Sequence, residues 1–124
     1  MEGYSVKIER VSRDITAKEK VMLKDTTNAI SLDEATQNAK VTITPAYYAV
    51  LSVHNEKSED KDYRKYIIVA EDGTKYVTGS ESFFTAFSDI MDEMADTGED
   101  FSIEVYRMPS KNYKGKEFIT CSIV

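Results

Sequence analysis

The chain has 124 residues and a formal net charge of -6, long enough for one domain with a real apolar core and no need of disulfides or metal. The single Cys121 excludes an internal disulfide, and one histidine beside one cysteine excludes a Cys/His zinc cluster. No apolar run reaches the ~18 residues of a membrane span, and MEGYSVKIERVSRD lacks the apolar block of a secretory signal, so a cytoplasmic protein without a membrane partner is expected.

Along the chain, the first 40 residues carry the weakest pattern. MEGYSVKIERV reads as a strand, and KEKVMLKD with NAISLDEA as a hairpin around Asp25 to Asn28. Residues 1–40 are therefore expected as an amino-terminal β extension of the same domain, whose core is 41–124. VTITPAYYAVLSVHN follows as a long strand, with Pro45 marking its start, an edge or a bend. Tyr47 and Tyr48 point to opposite faces of it, so at most one can join a binding surface. The charged loop HNEKSED contains His54 near Ser52 and Ser58. A serine–histidine–acid arrangement is recognised by geometry, and the sequence shows no nucleophile elbow, GxGxxG, P-loop or EF-hand pattern. No catalytic residue, metal ligand or cofactor is expected, and His54 reads as polar surface.

Asp72-Gly73, between YRKYIIVA and TKYVT, predicts a hairpin with a two-residue type I′ turn. Such a turn sets Val69 opposite Tyr76 and Ile68 opposite Val77. Both faces of the hairpin carry apolar residues, so either one can be the core. A helix is predicted next, with Thr78 as N-cap and Glu81 completing a capping box. Its stripe of Phe83, Phe87, Ile90 and Met94, widened by Phe84 and Met91, has helical spacing and reads as core, and Gly98 reads as its stop. Ser88, Asp89, Asp92, Glu93 and Asp96 form the opposite face, an anionic one. Two final strands are FSIEVYR, with Phe101, Ile103 and Val105 alternating against Ser102, Glu104 and Tyr106, and EFITCSIV, in which Cys121 reads as a buried, inert thiol.

The loop joining those strands is unlike its surroundings. RMPSKNYKGK, residues 107–116, holds Arg107, Lys111, Lys114, Lys116 and Tyr113 and no acid, directly after a segment from Asp89 to Glu104 that holds seven acids and no base. Nucleic-acid backbones need cations and unpaired bases need flat rings, and this loop supplies both. The residues expected to stack bases are Tyr66, Tyr76, Tyr106 and Tyr113. Those expected to hold phosphates are Lys65, Lys75, Arg107, Lys111, Lys114 and Lys116. Gly115 is either a close approach for a phosphate or a plain turn glycine.

From Thr44 the order is long strand, charged loop, hairpin, helix, hairpin. That is the order of an OB-fold, so the fold expected is mainly β with one helix (α+β), an OB-fold-like five-stranded barrel with the amino-terminal β extension. The segments YIIVAEDGTKY, the helix residues Ala86, Ser88, Asp89, Ile90 and Asp92, the strand FSIEV and the turn SKNYKGKEF also carry a family likeness. In their order and spacing, Ala46 to Val124 resembles the small single-stranded-DNA-binding proteins of tailed phages, protein-primed replicators among them, and of related mobile elements in Gram-positive bacteria. The resemblance implies an OB-like domain that coats single-stranded DNA without sequence preference during replication in the host-cell cytoplasm, with replication proteins as further candidate partners. Unlike the cellular single-strand-binding proteins, the chain ends in SIV, so recruitment through an acidic tail is not expected. Two other readings stay open: an acidic protein-interaction module whose helix face mimics DNA, and an enzyme centred on His54.

Overall fold

Alternation and capping decide where the elements of this protein fall. Its structure is a computed structural model that describes residues 3–59, 61–110 and 115–124. In chain order the strands are β1 (Tyr4–Val11), β2 (Ile30–Ser31), β3 (Val41–Ile43), β4 (Pro45–Asn55), β5 (Asp62–Ala70), β6 (Lys75–Thr78), β7 (Ile103–Pro109) and β8 (Glu117–Ile123). The helices are α1 (Ala17–Lys24), α2 (Leu32–Ala35) and α3 (Glu81–Met94). Contacts divide the chain into two compact units, Met1–Ile30 with Ala46–Gly79 and Ser31–Pro45 with Ser80–Val124.

In the first unit the sheet order is β1-β4-β5-β6-β2. β1 runs antiparallel to β4 with Val6 opposite Val53 and Ile8 opposite Leu51, and its register slips between Ile8 and Arg10. Tyr47, Ala49, Leu51 and Ile67 form the core of one sheet face, closed over by Leu23 of α1. Tyr4–Val11 is thus a strand as expected, whereas Ala17–Lys24 is a helix and KEKVMLKD is not half of a hairpin. Thr16 and Glu19 explain the difference. The Thr16 hydroxyl accepts from the Glu19 N–H and the Glu19 carboxylate accepts from the Thr16 N–H, a full capping box over a helix-favouring Ala-Lys-Glu-Lys run.

The β5–β6 hairpin also departs from expectation, by one residue of register. Gly73 has φ +90° but Asp72 is not left-handed, so the turn cannot be type I′, which needs positive φ at both central positions. The Gly73 N–H donates to the Ala70 carbonyl at 2.9 Å and the Ala70 N–H to Thr74 at 2.8 Å, giving a three-residue loop. Ile68 therefore faces Tyr76, and Ile67 faces Val77. Since a single slip exchanges faces, this register settles which residues share a side. Tyr66, Ile68 and Tyr76 lie on one face; Lys65, Ile67, Lys75 and Val77 lie on the other.

In the second unit the sheet order is β3-β7-β8. Its inner face carries Ile43, Ile103, Val105, Ile119 and Cys121, all buried, together with Phe83 and Phe87 of α3 and Leu32 of α2. The Ser82 hydroxyl of α3 donates to the Ile119 carbonyl of β8 at 2.9 Å. The cap of α3 is Ser80, whose hydroxyl accepts from the Phe83 N–H, and not Thr78, which is still paired with Tyr66 in the β5–β6 ladder. The helix stops at Met94 and the chain turns first at Asp96, φ +66°, before reaching Gly98. Burial pushes the Cys121 thiol up to about 12, so it stays protonated and unreactive.

The protein is thus mainly β, of α+β type, with three helices among the described residues where the sequence predicts one. Its strands divide between two sheets that are not closed into a barrel.

Candidate nucleic-acid interface

The strand alternation that buries Ile103, Val105, Ile119 and Cys121 turns their neighbours outward. On the outer face of β3-β7-β8, Thr42 and Ser122 flank Glu104, Tyr106 pairs with Thr120, and Met108 pairs with Phe118. Tyr106 and Phe118 are thereby diagonal neighbours, a separation of about 7–8 Å on a pleated sheet. Met108 and Phe118 are 43% and 38% exposed, a large apolar area for a sheet face. The Tyr106 ring is fixed at two points. Its hydroxyl shares a 2.6 Å hydrogen bond with Ser122, and the Lys40 ammonium stands 5.5 Å from its centroid. Lys40 also pairs with Glu104 at 3.3 Å, offsetting an acid on the same face. Exposed Lys116 enters β8, where its carbonyl accepts from the Ser110 N–H at 2.9 Å. The result is a ridge of two rings and a thioether with cations at its margins, a chemistry that suits stacked bases and their phosphates.

Of the residues named from sequence, Tyr106 and Lys116 belong to this surface. Lys111, Tyr113 and Lys114 lie outside the described residues. Arg107 does not belong, because alternation places it with Val105 on the inner face. Its Nη2 donates to the Asp33 carbonyl at the start of α2, and its Nε is buried with no hydrogen-bond partner among the described residues. Tyr66 is only 5% exposed, which leaves no ring face for a base. Lys75 is spent on structure: its ammonium donates to the Met22 and Asp25 carbonyls, unsatisfied acceptors at the end of α1. Tyr76 and Lys65 are both half-buried, on opposite faces of the hairpin. Burial, followed by the charge of Asp72, raises the Tyr76 hydroxyl above its usual range. Tyr47 and Tyr48 are both buried, with Arg13 and Arg10 over their rings at 4.0 and 5.5 Å. Phe118 was not among the sequence candidates.

A family model described as phage single-stranded DNA-binding protein matches residues 14–124. The chain belongs to this Phi29-type phage single-stranded DNA-binding protein family. No curated protein and no solved structure matches it. Family membership makes single-stranded DNA the partner of the chain. The matched region reaches further toward the amino terminus than the segments that first suggested the likeness, taking in α1 and all of β3-β7-β8 and leaving β1 outside. No helix among the described residues is long and apolar enough to cross a membrane.

Within this phage family member, His54 has a structural part in the β4–β5 connection. Its Nδ1 meets Asp62 and its Nε2 meets Glu56, both at 2.7 Å. A carboxylate on each nitrogen favours the protonated ring, and both nitrogens are engaged by acids and not by Ser52 or Ser58. The Asp62 hydrogen bond, then that of Glu56, raises the His54 pKa, while the His54 bond is the main cause lowering that of Glu56. A raised histidine pKa contributes stability that is full below the unfolded value of about 6.5 and is lost as pH rises through the folded value. For Glu56 the sign reverses: its contribution is present above its ordinary pKa and lost as pH falls through the lowered one. Melting curves of the protein and of His54→Gln should therefore differ most between those limits and converge in mild alkali. A difference that persists undiminished at alkaline pH would contradict the bridge.

Proposed function

We propose that this protein coats single-stranded DNA without sequence preference during phage DNA replication, stacking bases on the outer face of β3-β7-β8. The observation that carries the proposal is the outward-facing diagonal of half-buried Tyr106 and exposed Phe118, with Lys40 and Lys116 at its margins. Every base has a π-face, so ring stacking binds strands of any sequence, and lysines follow a backbone that is the same everywhere. Lys111, Tyr113 and Lys114, close to Lys116 in sequence, complete the proposed binding set. The order β4, β5, β6, α3, β7, β8 supports an OB-like core over 41–124, with residues 1–40 as its extension. The protein acts by binding and not by catalysis, in the host-cell cytoplasm, beside the replication proteins that use its strand.

Gel shifts with oligo-dT of graded length, duplex and RNA, run side by side, test this. Binding should require about 4–16 nucleotides, favour the single strand over duplex, and weaken with salt. A folded protein that leaves oligo-dT unshifted at low salt would return the acidic face of α3, with Asp89, Asp92 and Glu93, to consideration as a DNA mimic.

A further inference from the structure

A second cationic surface lies in the first unit, built from residues that the sequence pattern did not single out. β1 is the outermost strand of its sheet, and α1 lies beside it. Between them runs an open groove of about 440 Å³, lined by Lys7, Arg10, Lys20 and Lys24 together with Ile8 and Val11. Lys20 and Lys24, one helical turn apart, form one wall. Lys7 and Arg10 line the groove from the edge strand β1, whose register turns them to the sheet face opposite Ile8. The groove has one acid, Glu9, and its carboxylate is bound by Arg64 at 3.0 Å. Among the described residues, Lys7, Lys20 and Lys24 make no ion pair. Three lysines line the groove besides Arg10, whose guanidinium stands over the Tyr48 ring, and an anion bound there would offset their mutual repulsion. The outer edge of β1 adds backbone N–H groups with no strand to receive them.

We propose that this groove holds the phosphodiester backbone of single-stranded DNA. It contributes charge without stacking, since it offers no exposed ring, and so complements the ring-bearing face of β3-β7-β8. This inference rests on the single-strand function proposed above. The polyanion fits the site by sign and repeat: successive phosphates present evenly spaced negative charge, and each one neutralised releases counterions.

The test uses the full chain, oligo-dT, and an abasic deoxyribose-phosphate strand of equal length that has no bases to stack. In Lys20→Gln/Lys24→Gln the plot of log affinity for oligo-dT against log salt should become shallower by about 1.4, two phosphates at about 0.7 each. Lys7→Gln, on β1, should flatten it by about 0.7 without touching the helix. Both variants should weaken binding of the abasic strand, whereas Tyr106→Ala should not. Unchanged slopes in variants that still bind oligo-dT would overturn the groove proposal and leave the stacking face standing. Slopes unchanged but a smaller sedimenting species would also overturn it, assigning the groove to contact between copies of the chain. Absence of oligo-dT binding by the unaltered protein would remove the single-strand function and the groove with it.

Discussion

Tyr106→Ala/Phe118→Ala is expected to weaken oligo-dT binding by about thirty-fold or more while leaving the protein folded. The magnitude follows from stacking, which contributes about 1–3 kcal/mol per base, so two lost rings remove about 2–6 kcal/mol. Folding should survive because neither ring builds the core: Phe118 is 38% exposed and Tyr106 lies on the outer face beside Ser122. Tyr106→Phe separates ring from hydroxyl. It keeps the π-face and the Lys40 contact but loses the bond to Ser122, and should bind within a few-fold of the unaltered protein. Anisotropy titrations of labelled oligo-dT, with circular dichroism as the folding control, measure all three. Affinity unchanged in a folded double variant would remove both rings from the site.

Phe87→Ala should have the opposite profile, a loss of about 3–5 kcal/mol in stability. Phe87 is fully buried, with Phe83 stacked at 5.5 Å and Phe84 tilted at 6.5 Å, so alanine leaves a cavity between α3 and the inner face of β7-β8. Phe118→Ala, by comparison, exposes no cavity and should cost under about 1 kcal/mol. Urea denaturation of the two single variants distinguishes them. Equal midpoints would mean that the inner and outer faces of the sheet had been assigned wrongly.

That contrast between two phenylalanines was legible in the sequence only in part. FSIEVYR and EFITCSIV alternate with period two, and the structure buries Ile103, Val105, Ile119 and Cys121 as that pattern requires. The same alternation placed Tyr106 outward, and it also marked Phe118, with Thr120 and Ser122, as the outward set of the partner strand. Phe118 was not singled out from the sequence, although its parity is opposite to that of buried Ile119. Arg107 shows the converse error: the charge suggested surface, but its parity with Val105 turned it inward toward Asp33. For short strands with one buried face, parity was the better guide than residue type.

Elsewhere the sequence carried signals of unequal weight. Thr16 and Glu19 spelled a capping box, and the box outweighed the strand-like look of Val21-Met22-Leu23. The Asp72-Gly73 turn existed, but whether Asp72 would join Gly73 at positive φ was not written in the pair itself. One residue of loop length moved Tyr76 opposite Ile68 and put the hairpin's tyrosines and lysines on different faces. Lys75 could not be read locally at all, since the carbonyls it caps belong to Met22 and Asp25, about fifty positions earlier. The groove of Lys7, Arg10, Lys20 and Lys24 was invisible for the same reason. Its cations are dispersed among acids along the chain and gather only when α1 lies beside β1.

The account depends on bases meeting the outer face of β3-β7-β8. Photo-crosslinking with oligo-dT carrying 5-iododeoxyuridine, followed by mass-spectrometric mapping of the joined peptides, examines that contact without altering the protein. Crosslinks at Tyr106 and Phe118, lost in high salt, are the expected result. Crosslinks confined to other rings, with the Tyr106 and Phe118 peptides unmodified at saturating strand, would contradict it.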